Sequence, residues 1–290
     1  MEKGATIVIT GSTGQLGSEL KDLQSSFPQF NFIFFSRDEL SITDEISLRN
    51  TFERLHPDYL INCAAYTAVD KAEEEKGDAL AINATAVGVL AMICKEFNAH
   101  FIHISTDYVF NGKHDQPWKE TEVVDPINFY GESKLKGEEL AIKNNPQSII
   151  IRTSWVYSQY GKNFVKTMIR LMNETESINV VNDQIGSPTY AADLAEAMMN
   201  IVSSGKWMPG IYHFSNEGII SWYEFAFEIK KIIGSSCIVT PVATSQYPTP
   251  AKRPVYSVLD ATKIKNTYNI KLKDWKESLQ KCIKKIRQTL

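Results

Sequence analysis

The first seventeen residues restrict the fold more than any other stretch. Ala5-Thr6-Ile7-Val8-Ile9-Thr10 is a continuous apolar, β-branched run, the pattern of a strand covered on both faces in a parallel sheet. It leads directly into Gly11-Ser12-Thr13-Gly14-Gln15-Leu16-Gly17, and a helix carrying Leu16, Leu20 and Leu23 follows. Glycines between a strand and a helix allow a tight turn and let a diphosphate approach the positive helix end, where free N–H groups receive it. In this strand–loop–helix context Gly11, Gly14 and Gly17 signify dinucleotide binding. The loop lacks the Gly-Lys-Ser/Thr ending of a nucleotide triphosphatase, which argues against phosphoryl transfer.

The same alternation continues. Strand patterns at 32–35, 59–62, 101–105 and 148–152 are separated by helical patterns near 45–55, up to about residue 97, and from Pro126. Strands alternating with helices build βαβ units with right-handed crossovers. The expected fold class is therefore α/β, a Rossmann-type doubly wound parallel sheet with a smaller C-terminal domain. Beyond Arg152 the pattern loosens: a helix at 163–173, a strand at 178–181, a helix after Pro188, and a strand at 210–214. Ser221 caps a helix to 233, with Glu224 placed for a capping box. Residues 242–254 are proline-rich and irregular. A terminal amphipathic helix from 274 carries the stripe Leu279, Ile283 and Ile286, its lysines on a solvated face. The chain divides into 1–154, a nucleotide-binding domain continued by segments of the later half, and 155–290.

Composition excludes several function classes. At 290 residues with a net charge of −3, the chain has no basic excess to match a phosphate backbone, so nucleic acid is not its partner. Cys63, Cys94, Cys237 and Cys282 are scattered and form no Cys-x-x-Cys pair, as expected for reduced thiols in the cytoplasm. The start, Met1-Glu2-Lys3-Gly4, has no apolar signal segment. The apolar stretch 79–94 is too short to span a bilayer and is interrupted by Asn83 and Thr85, so it reads as a buried helix. A cytoplasmic protein without membrane contact is expected.

The chemistry-bearing residues lie where open α/β sheets bind ligands, at the carboxyl ends of strands. The third strand ends in Asn62-Cys63-Ala64-Ala65, small residues beside which a cofactor can pass. The fourth ends in Ser105-Thr106-Asp107, where Thr106 can hydrogen-bond a carbonyl or, with Asp107, cap a turn. Tyr130-x-x-x-Lys134 on the next helix puts a phenol and an ammonium on one face. An adjacent ammonium lowers the proton affinity of a phenol, which can then protonate a carbonyl oxygen. After the second strand, Ser36 and Arg37 favour NADP(H), while Asp38 leaves NAD(H) open. No metal set is evident: His100 and His103, three apart on a strand, face opposite ways. No Gly-x-Ser-x-Gly elbow marks a serine hydrolase.

The run 10–17, the stretch 62–65, Ser105-Thr106-Asp107, Tyr130 and Lys134 resemble the extended short-chain dehydrogenase/reductases. Further motifs at 64–73, 105–112, 152–157, 163–168, 183–189 and Arg253-Pro254 narrow the resemblance to the dTDP-4-dehydrorhamnose reductase family. That resemblance implies NAD(P)H-dependent reduction of the C4 ketone of a dTDP-sugar, for cell-surface glycans, with a sugar nucleotide seated mainly by 155–290. It implies that Gly14, Gln15 and Leu16 line the pyrophosphate, that Ser41 and Ile42 lie beside the adenine, and that Ala65, Tyr66 and Thr67 flank the cofactor. Tyr130, Lys134 and Thr106 would be catalytic; Thr106, Asp107 and Trp155 would meet the substrate. Some relatives bind magnesium between subunits: Glu19 matches one ligand position, but Ala192 stands at a second, so either a monomer or a homodimer fits. Other activities on the same scaffold are a nucleotide-binding regulatory subunit like the methionine adenosyltransferase β subunit, and a sugar-nucleotide epimerase or dehydratase.

Overall fold

A computed structural model describes residues 4–288. Its centre is a six-stranded, wholly parallel sheet. In chain order, β1 (Ala5–Thr10), α1 (Gln15–Leu23), β2 (Phe30–Phe35), α2 (Glu45–Leu55) and β3 (Tyr59–Asn62) form the first half. A long helix, α3 (Lys76–Glu96), leads to β4 (His100–Thr106), α4 (Phe129–Asn144) and β5 (Ile149–Thr153). The remaining elements are α5 (Phe164–Glu174), β6 (Ser177–Val181), α6 (Ala191–Ser203), β7 (Gly210–Phe214), α7 (Trp222–Ile233), β8 (Ile238–Val242), α8 (Thr262–Tyr268) and α9 (Trp275–Gln288). The strand order is β7-β5-β4-β3-β1-β2, the doubly wound arrangement expected from the alternation.

Two apolar layers enclose this sheet. On one face Ile7, Ile9, Ile61, Ile102 and Ile151 pack on α1 and α6; on the other Val8, Leu60, Phe101 and Ile150 pack on α2 and α3. A third cluster joins α5, α7 and α9 around Tyr157, Tyr190, Phe225 and Trp275. The predicted terminal stripe is buried there: Leu279, Ile283 and Ile286 all face inward. The capping box at Ser221 and Glu224 is formed. The strand β7 and the helix α6 return to the main sheet although they follow residue 154.

Several expectations change. The Tyr-x-x-x-Lys helix begins at Phe129 and not at Pro126; Asn128 caps it, its side chain accepting from Gly131 N. The apolar stretch set aside as too short belongs to a helix of 21 residues, long and apolar enough to cross a membrane. It is nonetheless a core helix, packed against α4 with over half its apolar window buried. Burial, and not length, is what distinguishes it from a membrane span.

One buried ion pair fastens α4 to the sheet. Arg152 on β5 and Glu138 on α4 are each almost wholly inaccessible, with Arg152 Nη2 2.7 Å from Glu138 Oε2. Arg152 also lies 5.1 Å from the Phe110 ring. Removing one partner strands a buried charge. Glu138→Ala should therefore lower stability by ~3–5 kcal/mol in urea unfolding, whereas replacing both residues by leucine should cost clearly less.

Candidate active site

The carboxyl ends of β1 to β5 bring the predicted residues to one edge of the sheet. After β1, Gly11 has φ +69, a left-handed conformation, and a Cβ there would sit 2.6 Å from Ala64 N. Only glycine lets the first loop lie against the third. Gly17 is also obligatory: its Cβ would meet Gly11 O at 2.4 Å, so α1 is drawn down onto the loop. Gly14 sits at the N-cap of α1 without a capping side chain, and no acidic residue stands in the first turn. The first N–H groups of Gln15, Leu16 and Gly17 thus face the open edge with a positive helix end behind them. Gln15 is tied to the later half of the chain, accepting from Asn163 Nδ2 at 2.9 Å.

At the end of β2, Arg37 and Asp38 are exposed, while the Glu39 carboxylate turns back to accept from Ser36 N at 2.7 Å. That hydrogen bond holds Glu39 below the usual carboxylate range. Ser41 is half-buried and Ile42 buried in the loop that follows. After β3, Ala64, Ala65 and Tyr66 are half-buried and Thr67 is exposed. Asn83, which the sequence reading treated only as an interruption, secures this loop. It sits in a π-helical turn of α3, Ala81–Thr85, accepting from Tyr66 N at 2.9 Å and donating to Tyr66 O and Ser133 Oγ at 3.0 Å each. Such turns recur at functional sites; the polar, buried position inside an apolar helix was the available signal.

Thr106 and Asp107 close β4 and Tyr130 faces them. The Thr106 hydroxyl accepts from Tyr108 N, so it caps the turn as one reading had it, and donates to Asp107 Oδ1 at 3.0 Å. Burial pushes the Asp107 carboxyl up to about 6, against the hydrogen bonds from Ser257 and Thr106. Burial likewise raises the Tyr130 phenol, partly offset by its hydrogen bond with Thr106. The two elements touch because Gly131 has no side chain: a Cβ would lie 2.2 Å from Tyr108 O. Tyr108 and Tyr130 meet edge to face at 5.7 Å.

Lys134 departs from the simple expectation. It is buried below Tyr130, with Nζ 2.6 Å from Ile104 O and 3.2 Å from His103 Nε2. In this arrangement burial, and not the ammonium, dominates the phenol. Burial also pushes Lys134 down to about 8, with Glu138 opposing.

Trp155 comes from the chain after β5. Its φ of +48 is left-handed, an uncommon conformation for a bulky residue. Its ring stacks on Trp222 at 3.6 Å and lies against Gly186, where a Cβ would be 2.6 Å away. The irregular stretch 242–254 crosses the start of α4: Asn128 Nδ2 donates to Lys252 O at 2.7 Å, and Arg253 makes two hydrogen bonds to Asp70, which they hold low.

A family model described as RmlD substrate binding domain matches residues 5–288. A dTDP-4-dehydrorhamnose reductase of Aggregatibacter actinomycetemcomitans is 40% identical over 286 residues, 95% of this chain and 97% of that protein. This chain belongs to the RmlD, or dTDP-4-dehydrorhamnose reductase, family. A spore coat polysaccharide biosynthesis protein, SpsK, of Bacillus subtilis (strain 168) is 42% identical over 275 residues, 94% of this chain and 95% of that one. The crystal structure of a dTDP-4-dehydrorhamnose reductase from Bacillus anthracis str. Ames in complex with NADP has a TM-score of 0.93 at 38% identity, covering 97% of this chain and 99% of that one. More distant members of the fold include a UDP-glucose 4-epimerase of Thermus thermophilus, at 17% identity and a TM-score of 0.82.

The magnesium position known from some RmlD relatives has no donor set here. Glu19 is buried, accepts from Ser158 Oγ at 2.6 Å and lies 3.7 Å from Lys285 Nζ. Ala192 has no donor atom, and among the described residues no group of three or more His, Cys, Asp or Glu is placed to hold a metal. Of the two matched positions only Glu19 carries a carboxylate, and it is already engaged by Ser158 and Lys285.

Asn83 offers a direct check of how the RmlD site is held. Asn83→Ala leaves Tyr66 N without its acceptor and takes a donor from Tyr66 O and Ser133 Oγ, so stability should fall by about 1–3 kcal/mol. Hydrogen exchange at the Tyr66 amide should accelerate by more than that global loss accounts for.

Proposed function

We propose that this protein reduces the C4 ketone of dTDP-4-dehydro-β-L-rhamnose to dTDP-L-rhamnose. The observation that carries this reading is the set Thr106, Tyr130 and Lys134 at one sheet edge beside a glycine loop, in a chain 40% identical to a named reductase over nearly its whole length. The fit of a dinucleotide rests on the cradle itself: Gly11 and Gly17 where a Cβ would collide, an uncapped α1, and small side chains at Ala64 and Ala65. NADP(H) or NAD(H), when bound, supplies the hydride.

Each residue has a separate task. The N–H groups of Gln15, Leu16 and Gly17 receive the diphosphate. Ser41 and Ile42 border the adenine, and Arg37 is the exposed cation available to a 2′-phosphate. Ala64 to Thr67 wall the cofactor channel. With substrate bound, the Thr106 hydroxyl turns its proton from Asp107 to the ketone oxygen, and Tyr130 protonates that oxygen. Lys134 holds the ribose hydroxyls and returns a proton to the phenolate. Asp107 and Trp155 orient the sugar nucleotide, which lies mainly against the cluster built by 155–290.

The assay is oxidation of NADPH, followed by absorbance, on adding dTDP-4-dehydrorhamnose, with NADH in parallel. Tyr130→Phe should bind cofactor normally yet turn over ~10²–10⁴-fold more slowly. A Tyr130→Phe protein with undiminished kcat would refute the assignment. A wild-type protein inert toward the ketone, and associated with another enzyme, would instead point to a regulatory subunit.

A further inference from the structure

The side of Lys134 turned away from Tyr130 contains an unusual hydrogen-bond pairing. Lys134 Nζ lies 3.2 Å from His103 Nε2, and His103 Nδ1 lies 3.1 Å from Asn62 Nδ2. The orientation of the Asn62 amide is fixed from outside this chain of contacts. Ala64 N, which can only donate, is 3.1 Å from Asn62 Oδ1, and the Thr10 hydroxyl donates to the same oxygen at 2.8 Å. Turning the amide over would set its NH₂ group against a backbone N–H. Asn62 Nδ2 is therefore the donor toward His103, and His103 Nδ1 carries the lone pair.

A neutral imidazole has one N–H, so that proton is on Nε2. The doubly protonated ring is disfavoured: burial pushes His103 well below its ordinary value. The Nε2 proton then points at the Lys134 nitrogen. An ammonium has three donors and no lone pair, whereas a neutral amine accepts one hydrogen bond and donates two. Only the amine satisfies both contacts, accepting from His103 and donating to Ile104 O at 2.6 Å.

We infer that His103, locked by Asn62 as its Nε2–H tautomer, is a positioning residue that weights Lys134 away from the ammonium and toward the neutral amine in the resting site. The other groups around Lys134 are consistent with that state. Glu138, one turn further along α4, favours the ammonium, but Arg152 on β5 engages its carboxylate through Nε and Nη2. Tyr130 is the neutral phenol one turn before, and β4 contributes His103 and the Ile104 carbonyl. The downward displacement of Lys134, to about 8, runs in the same direction and still leaves the ammonium accessible at neutral pH.

The chemical consequence rests on the ketone reductase reading. When hydride forms the new C–H bond, the Tyr130 O–H bond breaks and its proton forms the O–H of the product alcohol. The phenolate then takes a proton from Lys134, which has drawn it from solvent and reverts to the amine. His103 neither gains nor loses a proton; its fixed N–H makes the Lys134 ammonium a readier donor.

The test has one arm that needs no turnover. ¹⁵N spectra of histidine-labelled wild-type protein without cofactor, with the resonance assigned by its loss in His103→Gln, should show Nε2 protonated and Nδ1 bare. The opposite tautomer would overturn the inference. In the same protein the ¹³Cε resonance of Lys134, assigned with Lys134→Arg, should titrate near the depressed value. In His103→Gln an amide oxygen can accept from the ammonium, so the midpoint should rise by about one pH unit. An unchanged or lower midpoint contradicts the proposal. Under the reductase reading, the basic limb of kcat/KM should move upward with it, without the loss of kcat at lower pH that a damaged fold would bring. If the protein reduces no 4-keto sugar, the reductase reading fails while the spectra still decide the tautomer.

Discussion

The register of the parallel strands is the constraint from which the site follows. Thr10 pairs with Asn62 and Asn62 with His103, so three strands present side chains in one layer at the carboxyl edge. The fourth strand continues three residues further, to Thr106, which pairs with Thr153. That extra length builds a step. Thr106 stands on top of it beside Tyr130, and His103 lies beneath, with Lys134 reaching in against Ile104 O. Because side chains alternate along a strand, a slip of one residue would turn His103 and Ser105 to the other face and undo every contact described at this edge.

Close approach is the second organising element, and it depends on missing side chains. The glycine loop touches the third strand's loop at Gly11 and Ala64, and α1 touches the glycine loop at Gly17. On the opposite side α4 touches the turn after β4 at Gly131 and α3 at Gly137, where a Cβ would lie 2.0 Å from Asn83 O. Asn83 then joins the loop after β3 to the helix bearing Tyr130 and Lys134. The glycine loop, the loop after β3 and the helix bearing Tyr130 are thus tied together by direct contacts, the kind of fixed spacing that positioning of reacting groups requires.

Much of this was legible in the order of the residues. The buried parallel strands show as β-branched apolar runs, and the glycine loop and the Tyr-x-x-x-Lys pair announce themselves by spacing. What spacing alone could not reveal is pairing between strands: nothing local to His103 or Asn62 says that they adjoin, so their relation to Lys134 appears only in three dimensions. The strand Ile238–Val242 was hidden by Pro241, which is tolerated because β8 pairs with β6 alone in a two-stranded ribbon. The short helix Thr262–Tyr268 carries too few apolar positions to show a period. Lys134 was read correctly as Tyr130's neighbour, but its burial, which reverses the simple electrostatic expectation, is a property of the fold.

The two glycine notches on α4 have a mechanical meaning. Gly131 and Gly137 lie nearly two turns apart and seat against different parts of the molecule, so the helix can neither roll nor slide without a collision at one of them. Tyr130 and Lys134 are consequently carried on a helix seated at two separate points, and room to admit and release a bulky nucleotide has to come from elsewhere. Among the described residues, the short two-residue ladders around the cluster containing Trp155 and Trp222 pair only with one another and not with the six-stranded sheet, so this is the side of the cleft left to yield.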